Sequence, residues 1–205
     1  MNSELVSAFG AFFAIMNPFV NLPIFLALTS DFKVSEQRKL AIRVALACLL
    51  MSGVILVAGQ QIISFFGITI DQFRIAGGIV LAHIAWQMLS GQSIASHHGT
   101  DDEKNHMQEL TQLAFYPLAF PIIVGPGTIA TIIIYTGQSD VLLVGGVVAG
   151  IILLLGLVFY FAAFFGKILS DTMRVIMTRL MGMILLAIAV EMVASGAKAV
   201  FPGLS

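Results

Sequence analysis

The chain has 205 residues, of which 59% are apolar and only 10% charged, and its formal net charge is −1. Soluble domains carry roughly 25% charged residues. With so few charges and no block of five like ones, a soluble enzyme, a secreted disulfide scaffold, a disordered tail and a nucleic-acid-binding surface are all excluded.

The charged residues leave uncharged runs at 5–30, 44–70, 75–100, 110–139, 141–166 and 180–205, the last interrupted by Glu191 and Lys198. A membrane-spanning helix needs roughly 20 apolar residues, so the runs predict an all-α, polytopic membrane protein with six transmembrane helices. Continuous apolarity, rather than alternation, argues against a β-barrel. In chain order the helices are expected at 5–29, 40–65, 72–92, 113–136, 141–165 and 178–200. The first run lacks a basic leader and is read as the first span, not as a signal peptide. The single cysteine, Cys48, falls inside the second run, where it packs as a small apolar residue.

Eight of the ten cations lie in alternate loops: Lys33, Arg38, Lys39 and Arg43 after the first helix, Lys104 after the third, and Lys167, Arg174 and Arg179 after the fifth. The opposite side holds Arg74 and Lys198. Positively charged loops stay in the cytoplasm, so a cell inner membrane location with both termini periplasmic is predicted.

The helices repeat. Asn17-Pro18-Phe19-Val20-Asn21-Leu22-Pro23 aligns with Phe120-Pro121-Ile122-Ile123-Val124-Gly125-Pro126, both prolines coinciding at an offset of 103. Arg74 to Ala82 aligns with Arg179 to Ala187 at an offset of 105, and Phe65-Phe66-Gly67 with Phe164-Phe165-Gly166 at 99. The predicted organisation is a first three-helix repeat at 1–92, a cytoplasmic linker at 93–112 and a second repeat at 113–205. A unit with an odd number of spans emerges on the opposite side, so the second copy is inverted. Inverted repeats are a common construction of secondary transporters.

Proline inside a helix removes a backbone donor and clashes with the carbonyl four residues back, and in hydrocarbon the freed groups must find partners. Asn17-Pro18 and Gly125-Pro126-Gly127 lie near the centres of their runs, so the first and fourth helices are expected to break at mid-membrane, over 17–23 and 121–127. A half-helix restarting at a proline presents free N–H groups and a positive dipole end to an anion. The half-helix that ends there presents carbonyls, which suit a cation. Two such breaks could hold a zwitterion with no charged side chain. The candidate binding residues are Asn17, Pro18, Phe19, Asn21, Pro23, Pro121, Gly125, Pro126, Gly127, Thr128 and Thr131. Against this stand plain readings: prolines that only kink, an interhelical hydrogen bond from Asn17 and Asn21, and threonine hydroxyls bonded back to their own helix.

Glu191, an acid inside an apolar run, and His83, in the third helix, are candidates for coupling. Their plainer readings are a position near the outer interface and a hydrogen-bonded core histidine. His97, His98, Asp101, Asp102 and His106 lack a rigid ligand spacing and read as a solvated loop, so neither metal nor cofactor is expected.

The segments Ala14 to Phe25 and Pro117 to Thr128, with their Asn-Pro-x-x-Asn-x-Pro and Gly-Pro-Gly motifs, resemble the MarC family of inner-membrane proteins, also called the SnatA or neutral amino acid transporter family. The resemblance covers essentially the whole chain. It implies transport of small neutral amino acids, with glycine and alanine as type substrates and a proton gradient as the drive; Phe19 departs from the small residue the family often has there. The function expected is therefore secondary active transport of a small neutral amino acid by alternating access, with H+ or Na+ as candidate coupling ions and the lipid bilayer as surroundings. The alternatives are an exporter of another small metabolite or drug, or a channel. No His-Glu-x-x-His, Gly-x-Ser-x-Gly or pair of membrane aspartates occurs, so an enzyme is not expected. Oligomeric state and direction of transport are not encoded in any motif.

Overall fold

The computed structural model describes residues 2–29, 32–90, 110–162, 164 and 171–201, and they fold as helices and short connections. Among the described residues these helical segments follow one another: α1 (Asn2–Met16), α2 (Pro18–Leu28), α3 (Val34–Phe65), α4 (Ile70–Ser90), α5 (Ala114–Ile123), α6 (Pro126–Thr136), α7 (Val141–Tyr160) and α8 (Asp171–Val200). Among the described residues five stretches are long and apolar enough to cross a membrane, α1 with α2 taken together (Leu5–Leu28), α3, α4, α7 and α8, and α5 with α6 makes a sixth candidate if the pair, bent by 61°, is one span. Most of the expected linker, and the histidines and aspartates in it, lie outside the described residues.

Two helices begin earlier than their uncharged runs. α3 starts at Val34, not 40, and α8 is already helical at Asp171, ahead of 178. Charge-free runs mark the hydrocarbon-spanning part, whereas long cationic side chains continue a helix beyond it with their heads in water. At the start of α3 the Lys33 N–H donates to the Glu36 carboxylate, 2.8 Å away, which satisfies a donor the helix would otherwise leave open. The Gln37 amide donates to the Thr29 carbonyl at 2.8 Å and ties the short α2–α3 connection to the bundle.

Among the described residues the most extensive helix contact is that of α4 with α8. They run antiparallel, Gly78 lying against Ala189 and Val193, Ala85 against Gly182, and Ile75 against Gly196. A Cβ on Gly78 would come within 2.8 Å of the Ala189 carbonyl. Gly182, Ala189 and Gly196 recur every seven residues, as do Gly78 and Ala85, so small residues form a seam that lets the two backbones approach.

α3 packs antiparallel on α7, with Ala45 near Gly156 and Leu56 near Gly145. α2 joins α7 through the stacked rings of Phe25 and Phe159, 4.4 Å between centroids. One buried cluster fills the space among α1, α2, α3, α5, α6 and α7, and a smaller one fills that among α2, α4 and α8; Leu28 and Ile122 pack against both.

Candidate substrate site at the helix breaks

α1 and α6 run antiparallel. Tyr135 near the end of α6 meets Ser7 near the start of α1, with 3.2 Å between the hydroxyls, and its ring packs on Phe12. Further in, a Cβ added to Gly127 would lie 3.9 Å from Ile15. This register sets Asn17 level with Gly125, so the two breaks lie side by side.

The first break is narrower than expected. α1 ends at Met16 and α2 begins at Pro18, with Asn17 alone between them, while Pro23 lies inside α2. Asn21 accounts for the compactness: its side chain is buried, and its amide donates to the carbonyls of Met16 at 2.7 Å and Asn17 at 3.2 Å. Val20 N–H, which regular geometry would point at Met16, goes instead to the Asn17 carbonyl at 3.2 Å and toward the Asn17 side-chain oxygen at 3.4 Å. The amide of Asn21 thus takes over a displaced backbone partner, a local repair rather than the interhelical bond of the plainer reading. Pro18 and Pro23 have no N–H to give to the carbonyls of Ala14 and Phe19. The side chain of Phe19 lies outside the described part of the structure.

The second break is wider. α5 is π-like and irregular, with extended backbone at Tyr116 (φ −127°, ψ 125°) and Phe120 (φ −125°, ψ 132°), so the disturbance starts before the expected 121. It ends at Gly125, extended at φ −86° and ψ −177°, ahead of Pro126 in the first turn of α6. Gly125 is dictated by space, since a Cβ there would collide with the Pro121 carbonyl oxygen. Val124 N–H reaches the Ala119 carbonyl at 2.8 Å, and the buried Thr128 hydroxyl donates to the Ile123 carbonyl at 2.7 Å. Thr131 donates to the Gly127 carbonyl at 2.8 Å, bonding back to its own helix. The first α6 N–H to meet a backbone carbonyl is that of Ile129, on Gly125 at 2.9 Å. The N–H groups of Gly127 and Thr128 belong to the first turn, which a helix leaves without internal acceptors.

Pro121, Pro126 and Thr128 are buried and Gly127 is half-buried. Asn17, Asn21, Gly125, Pro126, Gly127 and Thr128 therefore gather at one level, with no formal charge among them. His83 and Glu191 do not join them. His83 is exposed and bonded to Gln87 at 2.9 Å; Glu191 is exposed and accepts from Ser195 at 2.7 Å. Each lies on the side of its helix turned away from the α4·α8 seam.

Sequence reasoning missed Gly77. It is buried on α4, and a Cβ there would collide with the Pro126 ring, while its neighbour Gly78 faces α8. The tandem glycines let one turn of α4 touch the second break and the α8 seam together. The Gly77-Gly78 pair was the available signal, although a glycine pair reads equally as simple helix packing.

Broken helices of opposed direction, meeting inside a bundle of apolar spans, define a multi-pass integral membrane protein with a polar, uncharged centre. The model of the MarC family of integral membrane proteins matches residues 2–201, and the chain belongs to that family. It is 36% identical to the UPF0056 membrane protein YvbG of Bacillus subtilis over 100% of this chain and 99% of that one. It is 34% identical to MJ1677 of Methanocaldococcus jannaschii (94% and 95% covered) and 32% identical to YhcE of Escherichia coli (94% and 91%). No solved structure matches the chain.

Proposed function

We propose that the protein is a secondary transporter of small neutral amino acids that works by alternating access, and not an enzyme. The observation that carries this reading is the side-by-side placement of the two breaks, which brings the end of α1 and the start of α6 to one level. The α6 start offers N–H groups to a carboxylate. The α1 end offers carbonyls, each with a second lone pair, to an ammonium group. A zwitterion is neutral overall and suits a site with no formal charge. A site built of backbone groups and small side chains suits a substrate the size of glycine or alanine better than a bulky drug.

The helix pairing supports an inverted repeat. α3 packs with α7 and α4 with α8; the α1–α7 contact has its counterpart in α3–α5, and α2–α8 in α4–α6. Exchange of conformations between two such halves would open the site to either side in turn. The charge distribution supports an inner-membrane location with periplasmic termini. H+ or Na+ is the proposed coupling ion, and the outward positions of Glu191 and His83 leave its route to other groups.

Uptake of labelled glycine into proteoliposomes, with pH or sodium gradients imposed, tests this function. Gradient-driven accumulation of glycine or alanine is expected. Absence of uptake under every gradient, with protein that is folded and inserted, would overturn it.

A further inference from the structure

Ser52 lies in the middle of α3 at 1% exposure, and among the described residues its hydroxyl is the one buried side-chain polar atom without a hydrogen-bond partner. In a bilayer interior lipid supplies no partner for such a group, and a buried hydroxyl left open calls for a reason.

Its location follows from helix register. α3 and the α5–α6 pair run in the same direction, because Arg43 near the start of α3 bonds to Thr111 just ahead of α5 at 2.9 Å, while Gly59 further along lies against Ile133 of α6. A Cβ on Gly59 would be 3.0 Å from the Ile133 side chain. Ser52 comes two turns before Gly59 on the same buried face of α3, and Pro126 comes two turns before Ile133 on α6. Stepping back about 10 Å along both helices brings Ser52 beside the first turn of α6, where the N–H groups of Gly127 and Thr128 lie.

We propose that the Ser52 hydroxyl and the N–H groups of Gly127 and Thr128 together form the carboxylate-binding end of the substrate site, a contribution from α3 that neither helix break supplies. The inference rests on the transport reading above and adds to it a third helix and a defined ligand group. A hydroxyl donor beside a helix N-terminus matches a carboxylate, which accepts several hydrogen bonds and is favoured by the positive dipole end. The empty protein has no use for the hydroxyl, so its removal should cost binding and not folding.

The test uses the purified full-length protein in detergent, with calorimetric titration of glycine, acetate and glycinamide. Ser52→Ala should weaken glycine and acetate by roughly tenfold to a hundredfold, change glycinamide, which lacks the carboxylate, by less than about twofold, and leave the Tm of the empty protein unchanged or higher. Equal glycine affinity in wild type and Ser52→Ala would overturn the role of Ser52 and leave the transport reading standing. Ser52-dependent binding of acetate without binding of glycine would keep the carboxylate site and overturn the amino acid reading. Binding of neither would overturn both, and a lowered Tm of empty Ser52→Ala would make Ser52 a structural residue.

Discussion

The two breaks carry the same proline spacing and are built differently. At the first, Asn17 alone interrupts the helix and the chain resumes at once; at the second, the backbone is irregular from Tyr116 to Gly125 and the axis turns by 61°. The cause lies in what surrounds the prolines. At the alignment offset of 103, Asn17 and Asn21 correspond to Phe120 and Val124. The Asn21 side-chain amide substitutes for a displaced backbone donor, whereas the Val124 side chain has nothing to donate. The chain at the second break therefore unwinds, uses its own Val124 N–H and the Thr128 hydroxyl to satisfy carbonyls, and needs Gly125 where it passes close to Pro121. Proline decides where a membrane helix breaks, and the polar neighbours decide how far it opens.

Gly125→Ala should break this arrangement most severely, because its Cβ meets a backbone carbonyl that cannot move aside as a flexible side chain can. A loss of about 3 kcal/mol or more is expected, read as a collapse of Tm in detergent. Gly127→Ala, with nothing nearer than Ile15 at 3.9 Å, should be neutral or stabilising by up to about 1 kcal/mol, since alanine is the better helix former. Equal losses at the two glycines would contradict the wide-break geometry.

Asn21→Ala removes the repair of the first break and leaves the Met16 carbonyl without its 2.7 Å partner. The expected cost is about 1 to 3 kcal/mol, with faster hydrogen exchange around residues 16–21. Unchanged exchange there would show that the proline pattern alone sets the narrow break.

Gly77→Ala should cost about 1 to 3 kcal/mol by pressing on the Pro126 ring, and Pro126→Ala in the same chain should recover much of it. A double-mutant cycle in Tm checks the pair; strict additivity would mean that α4 does not lean on the second break. The smallest effect is expected for Thr131→Val, whose hydroxyl only bonds back to Gly127, at about 0.6 kcal/mol.

Much of the fold was legible because charge-free runs of spanning length have one physical use. The same reading misplaced the starts of α3 and α8, since charged residues at a membrane boundary end the apolar run without ending the helix. Prolines at matched positions located both breaks, yet their widths depended on one side-chain amide and one backbone clash, which no periodicity encodes. Asn21 was legible as a polar residue near a proline but not as a cap for Met16. Ser52 was invisible as a site because a serine in an apolar helix ordinarily bonds back to its own backbone, and only the three-dimensional surroundings reveal a hydroxyl without a partner. His83 and Glu191 drew notice because ionisable groups are costly in lipid, but cost alone does not say which way a side chain faces.

The central claim is that a small neutral amino acid binds where the two breaks meet. Alkylation of Gly127→Cys in a Cys48→Ala background, which leaves a single thiol at the second break, tests it most directly. Saturating glycine should slow the reaction severalfold, while an equal concentration of acetamide, neutral but not zwitterionic, should not. Protein that demonstrably binds glycine and yet is alkylated at the same rate with and without it would place the binding site elsewhere in the bundle.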